Sequence, residues 1–106
     1  TLQKENLMDR LSYRTDKQTV SVIKNGEGVK QVAVALGKGA ILKKHTTDVP
    51  AFLVVIKGEI RFLINEQEIL LKALDTYNIP AEIEHELIGV DDENLFILTK
   101  SKYFKE

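Results

Sequence analysis

The segment QTVSVIKNGEGVKQVAVAL, residues 18–36, narrows the possible folds of this chain more than any other. Val20 and Val22, then Val32, Val34 and Leu36, place an apolar residue at every second position, with Asn25-Gly26 between the two runs. A period of two belongs to a strand with one buried face, whereas a helix needs 3.6. β-Branched side chains suit a pleated surface, and Asn-Gly between two such runs is the strongest short-range hairpin signal. A hairpin turning at Asn25-Gly26 is therefore expected.

The same texture continues. GKG at residues 37–39 breaks the second run, and a strand is expected over residues 40–47. Pro50 has no N–H to give a ladder, so it belongs in a turn or at the very start of the next strand. AFLVVIKGEIRFLINEQEILL then reads as three short strands, broken at Lys57-Gly58 and Asn65-Glu66. After NIPAEIEHELIGV, a polar turn at residues 91–94 leads to a last apolar strand at residues 95–99. Short strands at close, even spacing, with no crossover helices, describe an antiparallel sandwich or small barrel. Leu2, Leu7, Met8 and Leu11 lie loosely in helical register, so residues 1–17 are expected to be an arm or short helix. Residues 18–100 form the barrel and 101–106 a charged tail.

Composition removes several classes. With 106 residues the chain makes one domain, since two cores would each be too small. It contains no cysteine, which excludes disulfides, thiolate metal sites and a cysteine nucleophile. A formal net charge of -1 and the lack of a basic stripe argue against nucleic acid. No apolar stretch approaches the roughly 20 residues of a membrane helix, and TLQKENLMDR lacks the apolar core of a secretory signal. A cytoplasmic location is the resulting expectation. The first residue, Thr1, is not Met, so the true start is left open. Gly-x-Ser-x-Gly, a phosphate-cradling glycine loop and His-Glu-x-x-His are all missing.

Two blocks together resemble the cupins, small double-stranded β-helix barrels. Their first motif runs Gly, five residues, His-x-His, three or four residues, Glu, six residues, Gly; here it reads Gly39, AILKK, His45, Thr46, Thr47, DVP, Ala51, FLVVIK, Gly58. Their second runs Gly, five residues, Pro-x-Gly, two residues, His, three residues, Asn; here it reads Leu74, DTYNI, Pro80, Ala81, Glu82, IE, His85, ELI, Gly89. Gly37 offers a second register that would make His45 the later member of its pair, but counting back from Gly58 makes it the first. The resemblance covers about residues 20–99 and implies an all-β, antiparallel double-stranded β-helix.

Metal-binding cupins use both histidines of the first motif, its glutamate and the histidine of the second. The resemblance therefore makes His45 and His85 the metal-ligand candidates, with Thr47 and Ala51 in place of the other two. Alanine cannot ligate, and a hydroxyl is a poor ligand for Zn, Fe, Mn or Ni beside imidazole or carboxylate. Asp48, Glu82, Glu84 or a substrate carboxylate would have to complete the sphere, so the cofactor is either a weakly held divalent transition metal or none. The ligand-cavity candidates are His45, His85, Thr47, Lys43 and Tyr77; alternation along the strand puts Lys43, His45 and Thr47 on one face.

The leading expectation is a small barrel that binds an unidentified small molecule in a cavity lined by the two histidines and is non-catalytic or weakly metal-binding, the question of enzyme activity being left open with a lean against it. An alternative is a metal-dependent dioxygenase- or isomerase-like enzyme using His45 and His85, with the metal as Lewis acid or oxygen activator. A further alternative is a sensor or interaction module, resting on the amphipathic start and the tail's Tyr103 and Phe104. A homodimer is expected through an outer apolar face carrying Phe52, Val54, Ile56 and Phe62.

Overall fold

The computed structural model describes residues 4–105. Nine strands follow a single 3-10 turn at Leu7–Asp9: β1 Thr19–Gly26, β2 Val29–Leu36, β3 Ile41–His45, β4 Ala51–Lys57, β5 Glu59–Ile64, β6 Gln67–Lys72, β7 Thr76–Ile79, β8 His85–Gly89 and β9 Asn94–Ser101. They form two antiparallel sheets, ordered β1-β2-β9-β4-β7 and β3-β8-β5-β6. This is the all-β double-stranded β-helix expected from the sequence. Among the described residues no helix is long and apolar enough to cross a membrane.

The first hairpin pairs Val20 with Val34 and Val22 with Val32, as the alternation requires. Its turn lies two residues later than Asn25-Gly26 suggests. Gly26 opposes Val29, and Glu27-Gly28 makes the loop, with Gly28 at φ 77. Asn25 and Gly26 extend the strand instead, beyond an irregularity between Val22 and Lys24. The β5–β6 loop is Asn65-Glu66, at φ 49 and 61, the two positive values a tight hairpin favours.

The core lies between the sheets, where Val34, Leu36, Leu53, Val55, Ile60, Phe62, Leu87 and Phe96 are almost wholly buried. Phe62 is 0% exposed, which removes it from the expected dimer face. The odd member of β5 by burial is not Phe62 but Arg61, so the inward parity of β5 runs Ile60, Phe62, Ile64. Phe52 and Val54 are half-buried and Ile56 is 40% exposed, and these three do alternate with buried Ala51, Leu53 and Val55.

The N-terminal arm packs on the outer face of the larger sheet. Leu11, Leu7 and Tyr13 lie against Ala33, Ala35, Ile23, Leu95 and Ile97 in a second small core. Two alanines leave β2 flat enough for the arm to approach. Gly37 N–H donates to the Arg14 carbonyl at 2.8 Å, and a Cβ on Gly37 would stand 2.7 Å from that same group. The apolar stripe that suggested an interaction module is thus largely covered by the barrel itself; Leu2 lies outside the described residues.

Candidate functional site

The site begins with a bulge. On the β3–β8 ladder Ile41 opposes Ile88 and Leu42 opposes Leu87, but the next pair is His45 with His85. Three residues of β3 therefore match two of β8. An extra residue in one strand re-aims the side chains beyond it. Leu42 packs against the core, and the bulge at Lys43-Lys44 lets His45 come directly opposite buried His85. Regular alternation, which would set Lys43 beside His45, is broken here. Lys43 is exposed, and what it brings to the pair is its main-chain carbonyl.

The two imidazoles lie 4.4 Å apart between centroids, tilted by 59°. His45 Nδ1 is 2.8 Å from the Lys43 carbonyl oxygen, and His85 Nδ1 is 3.0 Å from that of Ile83. A carbonyl only accepts, so each Nδ1 carries the proton and donates. In its neutral form a ring held this way presents a lone pair at Nε2. That of His85 is buried with no hydrogen-bond partner, in a side chain 1% exposed. Burial pushes the His85 pKa down; the bond to Ile83 opposes this, and the electrostatic influence of neighbouring His45 and Lys100 adds to the lowering. Between ring centroids, Phe62 lies 5.9 Å from His85 and 4.8 Å from Tyr77.

Thr47 is buried, with its hydroxyl donating to the Val49 carbonyl at 2.8 Å and its own carbonyl accepting from Glu82 N–H at 2.8 Å. It ties the end of β3 to the turn before β8 and so holds the two histidines in register. Tyr77 is half-buried against the core. Asp48, Glu82 and Glu84 do not converge on the pair, and no group of three or more His, Cys, Asp or Glu that could hold a metal occurs among the described residues. A ligating histidine usually donates its other ring nitrogen to a carbonyl or carboxylate, and both imidazoles here are held that way. The donor set nevertheless stops at two, where catalytic zinc sites have three protein ligands. Ala51, buried at the glutamate position, supplies nothing. These residues do not fit a resident catalytic metal.

Sequence patterning does not single out Lys100 and Lys30, yet both stand near the pair's end of the barrel. Lys100 follows Leu98, and Lys30 precedes Val32, at the two-residue period of buried core positions. That period, carried past the last apolar residue, is the signal that finds them.

A double-stranded β-helix with facing histidines on β3 and β8 defines a class, the cupin-type barrel. Residues 31–99 match the cupin domain family, and the chain belongs to it. Among solved structures it is similar to a protein of unknown function from Streptococcus pyogenes, at TM-score 0.81 and 17% identity over 99% of this chain and 91% of that one. A cupin superfamily protein from Desulfitobacterium hafniense gives TM-score 0.82 and 13% identity, covering 95% and 93% of the two chains. KdgF from Halomonas sp. gives 0.75 and 16%, over 83% and 81%. A comparison with curated proteins finds no match.

Proposed function

We propose that this cupin barrel binds a small organic molecule at the His45–His85 pair, and does so without catalysing a reaction. The observation that carries the reading is His85 Nε2, a buried acceptor with no partner among the described residues. Leaving such a group unmade costs about 1–3 kcal/mol, and a ligand O–H or N–H would recover that. Two acceptors side by side, each fixed by its own carbonyl, make a preorganised recognition element.

The orientation of both imidazoles supports a second reading, a divalent ion held by two Nε2 atoms and completed by water and substrate. Thermal-shift screening of small polar compounds on the wild type and on His85→Phe tests the first reading. Stabilisation that vanishes in the variant supports it. Stabilisation that survives in the variant overturns it, as does about one equivalent of Zn, Fe, Mn or Ni in protein purified without chelator.

The chain also carries support for a homodimer. The arm covers the outer face over β2 and β9 but not the strip of Phe52, Val54 and Ile56 on β4.

A further inference from the structure

Lys100 and Lys30 are direct partners across the β2–β9 ladder, and both lie on the sheet face that carries Val32 and Leu98 into the core. Like charges directly opposite in an antiparallel pair repel. Ion pairs among the described residues join Arg10 to Glu5, Arg14 to Asp16, Lys57 to Glu93 and Arg61 to Glu68, and none reaches these two lysines. On its other side Lys100 opposes Ala51, which has no charge. Lys100 is half-buried, and its charge is felt at His85. Lys100 therefore stands near a buried acceptor that has no partner among the described residues, with exposed Lys30 next to it across the ladder.

A second, separate feature beside His45 is also cationic. A groove of about 570 Å³ runs along residues 39–45 and under residues 15–18, and reaches His45. It carries Lys17, Lys43 and Lys44, while its one acid, Asp16, is engaged by both Arg14 nitrogens at 2.9 and 2.7 Å. A cleft lined by one sign of charge concentrates ligands of the other.

We propose that the molecule held by the histidine pair is a small hydroxy acid, its hydroxyl donating to His85 Nε2 and its carboxylate lying between the ammonium groups of Lys100 and Lys30. This rests on the pair being the ligand site and adds the class of ligand. The carboxylate removes the repulsion across the ladder, and the hydroxyl supplies the donor that the acceptor lacks.

The test is calorimetric titration of the whole chain, dialysed against EDTA, with L-lactate, propionate and lactamide, together with imidazole ¹⁵N resonances. Lactate is expected to bind about tenfold or more tightly than propionate, which lacks the hydroxyl, and than lactamide, which lacks the charge. Lys100→Met should bring lactate down to lactamide while the His85 Nε2 resonance still answers both. Lactamide binding as well as lactate would overturn the hydroxy-acid assignment and leave the histidine site standing. Displacement of lactate by equimolar inorganic phosphate would overturn the organic-acid class. A histidine resonance that answers none of the three compounds would overturn this inference, and the binding site beneath it falls if His85→Phe also leaves every thermal-shift binder unaffected.

Discussion

Asn94→Ala should remove a large share of this protein's stability without touching the histidine pair. Asn94 is 0% exposed and uses every hydrogen-bonding position of its side chain. Nδ2 donates to the Leu36 carbonyl at 2.9 Å and the Asp91 carbonyl at 2.8 Å. Oδ1 accepts from Glu59 N–H at 3.0 Å and Asp91 N–H at 3.1 Å. One side chain thus joins the end of β2, the β4–β5 turn and the loop before β9. Two glycines make the room: a Cβ on Gly58 would run into Asn94 Oδ1, and one on Gly89 would stand 2.6 Å from Nδ2. Each of the four bonds is worth about 1 kcal/mol net, so the loss is about 4 kcal/mol. A domain of this size holds about 5–15 kcal/mol in all, and such a loss lowers Tm by roughly 15–25 °C. Urea unfolding followed by circular dichroism measures it, with Asn94→Asp as a companion that keeps the acceptors but faces two carbonyls with a carboxylate. A loss below about 1 kcal/mol for Asn94→Ala would refute the reasoning.

Four further outcomes are expected. His85→Phe should change stability by less than about 2 kcal/mol, because loss of the Nδ1 bond to Ile83 is offset by removal of a buried acceptor without a partner; a loss above about 3 kcal/mol in urea titration would refute that offset. Since folding lowers the His85 pKa below its ordinary 6.5, the unfolded chain binds the extra proton. Stability should therefore rise with pH between the depressed value and about 6.5 and level off above, and this slope should be smaller in His85→Phe. Glu82→Gly should stabilise by about 1 kcal/mol, because Glu82 sits at φ 67 in the left-handed region; no gain in thermal unfolding would contradict the turn geometry. If the proposed homodimer forms through the β4 strip, Ile56→Asp should convert it to monomer in size-exclusion with light scattering, and a wild type that is monomeric throughout refutes that interface.

The fold is legible because its signal repeats in almost every strand. Val32, Val34 and Leu36 declare their buried face by period alone, and the glycine spacing of the two motifs marks where strands turn. Two motif glycines survive only as backbone: Leu74 and Glu82 occupy those positions with side chains, yet hold φ 74 and 67. The turn geometry has outlasted the residue type that makes it easy. What the sequence hides depends on one-residue offsets. The Lys43-Lys44 bulge cannot be read from a two-residue period, and without it the faces of Lys43 and His45 are assigned together. Phe62 is misplaced outward for the same kind of reason, since parity says which residues share a face but not which face is inward. Lys30 and Lys100 become neighbours only through strand order, and residues so far apart in sequence carry no local sign of it.

The two ends of β9 show where selection for stability and selection for function diverge. At Asn94 every donor and acceptor is matched and two glycines are given up to seat one amide. Six residues on, Lys100 faces another lysine across the ladder, and the nearby His85 Nε2 is buried without a partner. Packing alone could have removed each of those faults with an apolar residue, as Ala51 shows at the neighbouring position. Local violations of otherwise consistent physics gather at functional sites. Here the violations are complementary as well as local, an acceptor that needs a donor and two cations that need an anion. A single ligand carrying both groups would resolve them together, whereas a structural explanation would have to account for each one separately.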